Sequence, residues 1–159
     1  MSIAIRPAAV ADLPLINALI RELADYEQLL HDVRCDEDSL GRYLFGPRPM
    51  AEVLIGEVDG LPCGFALFFH NFSTFEGRPG IYLEDLFVRA PARGCGLGKA
   101  LLAELAGLAM TRGCMRLEWA VLDWNGPAIA FYRKLGARSQ DEWTGMRLSG
   151  AQLHQLAGN

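Results

Sequence analysis

The chain has 159 residues, 51% of them hydrophobic and 21% charged, with a formal net charge of −4. This fits one folded domain over residues 1–159 with a sizeable core, and no apolar run reaches the ~18 residues of a membrane span. The acidic balance argues against non-specific nucleic-acid binding, and neither nucleic acid nor membrane is expected as a partner.

Met1 to Arg6 lack the basic start and long apolar stretch of a signal peptide, so a cytoplasmic location is expected. Cys35, Cys63, Cys95 and Cys114 lie far apart, form no C-x-x-C pair and are not joined by the histidines. No metal site is expected, and the thiols are expected to be free.

In chain order, Ile3-Ala4-Ile5 reads as a first strand ended by Arg6-Pro7. Asp12 is placed to cap a helix that carries Pro14 in its first turn. Leu13, Ile16, Leu19, Ile20 and Leu23 recur at helical spacing, and the helix is expected to run to about Leu30. Asp25, Tyr26 and Glu27 near its end are either a solvated helix end or an acidic, aromatic binding cluster. Asp36-Glu37-Asp38 open a second helix through about Leu44, where acids complement the helix dipole. Gly46-Pro47-Arg48-Pro49 breaks it.

Glu52 to Val58 alternates as a strand, Asp59-Gly60 signals a hairpin, and Gly64 to Phe69 is the partner strand. Phe65, Phe68, Phe69 and Phe72 read as core. Ser73 to Gly80 is a polar loop and Ile81 to Val88 a further strand, closed off by Pro91. Gly98 through Met110 is a helix with Leu101, Leu102, Leu105 and Leu108 as its apolar residues and Gly113 beyond its end. Met115 to Val121 is a strand, and Asn125 with Pro127 opens a helix to Lys134 that Gly136 ends. A last strand is expected over Gly145 to Leu148, then a short helix opened by Ser149-Gly150-Ala151-Gln152.

The stretch Arg93-Gly94-Cys95-Gly96-Leu97-Gly98-Lys99 joins a strand to a helix. A diphosphate needs converging backbone N–H donors with no side chains in the way, and the three glycines supply that clearance beside a positive helix end. A Walker loop is excluded because Lys99 is followed by Ala100 at too short a glycine spacing. A dinucleotide fingerprint is excluded because G-x-G-x-G here follows an antiparallel meander. Cys95 lies beside a helix start, but no motif brings it a histidine, and it reads as an incidental loop residue.

These residues resemble the GCN5-related N-acetyltransferases (GNAT). Arg93 to Gly98 fits the [QR]-x-x-G-x-[GA] signature, and N-x-x-A-x-x-F-Y-x-K-x-G-A from Asn125 follows in family order. The segments from Ile20 to Glu27, Tyr82 to Val88, Ser73 to Arg78 and Val121 to Asn125 are similar to the diamine (spermidine/spermine) and thialysine acetyltransferases, the last two more to the thialysine branch. The resemblance implies an α/β (α+β) GNAT fold. Its mixed, mostly antiparallel sheet would have six to seven strands flanked by helices and splay at the coenzyme site.

The resemblance also implies acetyl-CoA as cosubstrate, a small-molecule amine acceptor and a homodimer. The backbone of Leu86, Phe87 and Val88 would bind the pantetheine arm. Arg93, Gly94, Cys95, Gly96, Leu97, Gly98 and Lys99 would hold the pyrophosphate, and Asn125, Gly126, Pro127 and Ala128 would line the coenzyme's other side. Tyr132 would sit near the thioester sulfur. Tyr26, Glu27, Glu84, Asp85, Glu118, Trp119 and Ala120 would form the acceptor site.

Acyl transfer to an amine requires a neutral amine, a stabilised oxyanion and a protonated leaving thiolate. Tyr132 is the candidate acid, its alternative being a tyrosine packed beside Phe131. Glu84 is the candidate base, through a water, acting in a ternary complex. Glu84 and Asp85 are adjacent in a strand and are expected on opposite faces, with a buried salt bridge as the alternative use of the two acids. The polyamine branch carries a further acid in the loop before Tyr82, where Ser73 and Thr74 are uncharged. That favours a smaller amine, or an amino acid with an aminoethyl-type side chain whose carboxylate Arg78 could meet. A protein lysine or N-terminal acetyltransferase and a non-catalytic acetyl-CoA-binding module are the rival readings.

Overall fold

A computed structural model describes residues 1–158. The chain divides into two compact units, Met1–Ala120 and Val121–Asn159. The first unit contains a five-stranded sheet in the order β1 (Ile3–Pro7), β2 (Glu52–Val58), β3 (Leu61–Ser73), β4 (Arg78–Val88) and β5 (Leu117–Trp119). Neighbours from β1 to β4 are antiparallel, and β5 runs parallel to β4. With α1 (Leu13–Tyr26), α2 (Glu37–Phe45) and α3 (Leu97–Thr111), this is the expected mixed α/β architecture.

The sheet is covered on two faces. Val53, Ile55, Phe65 and Phe87 project towards α1 and α2, where they pack with Ile16, Leu19, Leu40 and Leu44. The opposite face carries α3, whose Leu97, Leu101 and Leu105 are fully buried. Burying this many branched and aromatic side chains, at ~1.5–3 kcal/mol each, is the main favourable term in holding the layers together. Gly56 and Gly64 admit the start of α3 to the sheet. A β-carbon on Gly56 would lie 2.8 Å from Leu97, and one on Gly64 would lie 2.9 Å from the Phe87 carbonyl oxygen.

Several expected boundaries are corrected. α1 stops at Tyr26 rather than Leu30, because Gln28 turns left-handed at φ 62° and Leu29 N–H bonds back to the Ala24 carbonyl at 2.7 Å. Asp12 stands before α1 but does not cap it. Its carboxylate takes two bonds from Arg6, at 2.8 and 3.0 Å, and one from Ala9 N–H at 2.7 Å. The sheet has five strands, not six to seven. β5 is confined to Leu117–Trp119, which pair with Ile81, Tyr82 and Leu83.

The second unit holds α4 (Gly126–Lys134) and α5 (Gly150–Ala157). Residues 145–148 form no strand. A strand needs a ladder partner, and this unit contains no other among its described residues. Asn125 caps α4 as expected, its Oδ1 accepting from Ala128 N–H at 3.3 Å.

The packing at Gly64 generates a test. Gly64→Ala should destabilise the protein by about 1–3 kcal/mol in urea unfolding, because the methyl meets backbone on one side and a buried leucine on the other. Gly107→Ala, in α3 with open space around it, should instead stabilise by about 0.8–1 kcal/mol.

Candidate active site

The site of the first unit is organised by an irregularity in β4. Leu67 pairs with Asp85 and Phe68 with Leu83, so Glu84 is an extra residue with no partner position on β3. Such a bulge interrupts the period-two alternation of a strand. The expectation that Glu84 and Asp85 take opposite faces rested on that alternation and does not carry across the bulge. Asp85 instead keeps step with Phe87, on the face that packs against α1 and α2. Glu84 is exposed and Asp85 half-buried. Among the described residues neither acid is in an ion pair, so the salt-bridge alternative is not realised.

Asp85 forms the floor of a cavity of about 220 Å³. Ile20, Leu23, Ala24, Leu29 and Val33 give it apolar walls, and Glu27 and Asp32 bring two more carboxyl groups. Burial raises the Asp85 carboxyl to about 7, with repulsion from Glu84 and Glu27 adding to the rise. Burial also raises Glu27 above its ordinary range. An apolar recess with ionisable acids and no lysine or arginine among its lining residues is chemically suited to an ammonium group. Glu27 and Asp85, both expected at the acceptor site, line this one cavity. Sequence reasoning missed Asp32, because the turn at Gln28 that returns the chain over the cavity has no glycine to announce it.

Beside this cavity β4 presents an open edge. Arg89 N–H donates to the Cys63 carbonyl on β3 at 2.8 Å. Alternation along the strand then aims the amide groups of Phe87 towards β3 and those of Leu86 and Val88 outward. β5 pairs no further along β4 than Leu83, so the outward groups at Leu86 and Val88 lie beyond its reach. An extended ligand with amide groups can pair with such an edge as an added strand does.

The glycine turn follows directly. Gly94 and Gly96 have φ of 78° and 94°, which side-chain-bearing residues rarely adopt. The first backbone bond of α3 runs from Ala100 N–H to the Gly96 carbonyl at 2.9 Å. The amides of Leu97, Gly98 and Lys99 therefore precede the helical ladder and stand at its positive end, as an anion site requires. Cys95 donates its S–H to the Ala92 carbonyl at 2.8 Å, a local contact that steadies the turn.

Arg93 takes an unexpected position. Its Nε donates to the outward Val88 carbonyl at 2.9 Å, and its guanidinium lies 5.0 Å from the Tyr26 ring centroid and 5.6 Å from that of Phe87. Arg89 also reaches α1, through a two-pronged pair with Glu22 at 2.9 and 2.8 Å. Glu118 and Trp119 lie in β5 opposite Tyr82 and Leu83, with Glu118 accepting from Asn71 at 3.3 Å; neither they nor Ala120 line the acidic cavity. Arg78 reaches Gly113, beyond the C-terminal end of α3. In the second unit, Asn125, Gly126, Pro127 and Ala128 make the first turn of α4, and Tyr132 lies on the same helix, its ring 5.5 Å from that of Phe131.

An open strand edge, a glycine turn at a helix start and an acidic recess are the parts an acyl-coenzyme enzyme acting on amines would need. Residues 16–137 match the model of the acetyltransferase (GNAT) family. The chain belongs to the GNAT family. It is an N-acetyltransferase, an acyltransferase by class, as its relatives are. It is 37% identical to a thialysine N-epsilon-acetyltransferase of Sus scrofa, over 99% of this chain and 98% of that one. It is 32% identical to an L-ornithine N5-acetyltransferase of Arabidopsis thaliana, over 96% of this chain and 86% of the relative. Among solved structures, a Vibrio cholerae integron cassette protein superimposes with a TM-score of 0.82 at 31% identity, covering 100% of this chain and 99% of that one. GNAT acetyltransferases use acetyl-CoA as cosubstrate, and the described residues contain no cluster of His, Cys, Asp and Glu that could hold a metal ion. Among the described residues no helix is long and apolar enough to cross a membrane.

The buried acid gives a test with a definite sign. Asp85 binds its proton more tightly folded than unfolded, so it contributes stability at low pH that is lost as pH rises towards 7. Asp85→Asn should therefore be more stable than the wild type at pH 8, by up to ~4 kcal/mol. The gain should fade towards pH 4, as read by urea unfolding at both values.

Proposed function

We propose that this chain is an acetyl-CoA-dependent N-acetyltransferase that moves an acetyl group to a primary amine of a small molecule. The acceptor is an amino acid of the thialysine or ornithine kind, or a diamine or polyamine. The observation that carries the proposal is the acidic cavity of Glu27, Asp32 and Asp85 next to the open edge of β4. Thialysine and ornithine acetyltransferases among the relatives support the first acceptor class. A spermidine/spermine N(1)-acetyltransferase-like protein of Homo sapiens, 32% identical, supports the second. The uncharged Ser73 and Thr74 favour the smaller amines.

In this reading the outward groups of Leu86 and Val88 bind the pantetheine arm, and the amides from Gly94 to Lys99 bind the pyrophosphate. Asn125, Gly126, Pro127, Ala128 and Tyr132 complete the coenzyme contacts. Bound acetyl-CoA supplies the thioester, and transfer is direct, within a ternary complex. The amine arrives as an ammonium, drawn by the acids of the cavity, and must lose a proton before its nitrogen can attack. Glu84 accepts that proton through a water, for which its exposure leaves room. Tyr132 donates a proton to the leaving thiolate. The family match runs across both compact units, which supports a single catalytic domain over 1–159. A cytoplasmic homodimer is part of the same proposal and rests on resemblance and composition.

Thiol release measured over a panel of amines tests the reading. Turnover is expected with thialysine-like amino acids, ornithine or diamines, and no turnover with any amine despite tight acetyl-CoA binding would contradict it. Tyr132→Phe and Glu84→Gln should each lower kcat by about 10²-fold, while the acetyl-CoA Kd stays within about twofold.

A further inference from the structure

We infer that Arg93 is a positioning residue for the acceptor, holding the C-terminal end of α1, and with it the Glu27 wall of the acidic cavity, against the strand and loop that carry the coenzyme. The inference rests on the proposed acetyltransferase reading and assigns this arginine a duty besides its charge at the pyrophosphate turn.

Three elements meet on its side chain. Arg93 itself begins the glycine turn. Its Nε is bonded to the Val88 carbonyl at the end of β4, at 2.9 Å. Its guanidinium stands over Tyr26, the last residue of α1, at 5.0 Å and over the buried ring of Phe87 at 5.6 Å. The contact is favourable twice over. A guanidinium above a tyrosine ring is attracted by the ring's negative face. A cation at a helix C-terminus also meets the negative end of the helix dipole, and α1 carries no basic residue of its own in its last turn.

What Arg93 steadies is the cavity. Glu27 follows Tyr26 directly, caps α1 and lines the recess, and the chain then turns sharply at Gln28 to bring Leu29, Asp32 and Val33 over the same space. Arg89 ties α1 to β4 at Glu22, more than one turn earlier, and leaves the last turn to be held elsewhere. Arg93 lies over the Tyr26 ring. Tyr26 serves as the anchor through which Arg93 sets the position of Glu27.

Removing Arg93 also removes charge beside the pyrophosphate turn, so the test must separate the two effects. A double-mutant cycle of Arg93→Met and Tyr26→Leu does so. Acceptor KM is measured at saturating acetyl-CoA, and acetyl-CoA Kd is measured by calorimetry. Each single substitution should raise acceptor KM about two- to fivefold, the range expected for an exposed cation–ring contact. The double variant should be no worse than the worse single, and Arg93→Lys should recover most of the loss. The change in acetyl-CoA Kd on losing Arg93 should be the same whichever residue stands at 26. Additive effects on acceptor KM, or an acceptor KM unmoved by Arg93→Met, would overturn the inference while leaving the acetyltransferase reading intact. A wild-type chain that acetylates no amine would overturn both.

Discussion

The extra residue at Glu84 sets the geometry of the whole first unit's functional edge. Without it, β4 would continue the alternation of Ile81 and Leu83, and Asp85 would turn with them towards the face that carries α3. There a carboxyl group would sit among buried leucines at a high desolvation cost. The bulge moves Asp85 to the other face, where α1 stops short and a recess opens. It also ends the pairing of β5, so the next stretch of β4 keeps its outward amide groups beyond that strand's reach. One inserted residue thus leaves an open strand edge and turns an acid into an apolar recess.

The remaining features hold these two surfaces in register. Gly56 and Gly64 let Leu97 sink against the sheet, which fixes where α3 starts and therefore where the glycine turn lies. Arg89, just past the end of β4, and Arg93, in the turn that follows, reach α1 at Glu22 and Tyr26. The acidic recess, the open edge and the phosphate-type turn consequently all adjoin β4. The raised proton affinity of Asp85 follows from the same construction, because burial and two neighbouring acids act on a group that no cation neutralises.

Much of this was legible in the residues. The β2–β3 hairpin, the glycine turn, the body of α3 and the Asn125 cap each follow from short-range chemistry: a turn dipeptide, glycine conformations, apolar periodicity and a side-chain oxygen within reach of an amide. Glu27 and Asp85 were legible as acids in unusual company. What escaped depended on contacts distant in sequence. A bulge is a relation between two strands, and nothing in Leu83-Glu84-Asp85-Leu86 alone says which residue is extra. The stop of α1 hinges on Gln28 in a left-handed turn that glycine or asparagine more often marks. Gly145 to Leu148 has strand-like residues but no ladder partner among the described residues of its unit. Asp12 had the position of a cap, yet a bidentate arginine six residues upstream claimed its carboxylate.

On the proposed function, the half-buried Asp85, with its raised proton affinity, is the group that meets the acceptor's ammonium. Carboxyl-carbon NMR titration of Asp85, with and without a saturating diamine, tests this assignment most directly. The expected result is a midpoint of about 7 in the free protein and a clear fall when the amine is bound, because the ammonium charge favours the ionised carboxylate. A midpoint near that of an ordinary aspartate, unmoved by any amine the enzyme acetylates, would contradict it.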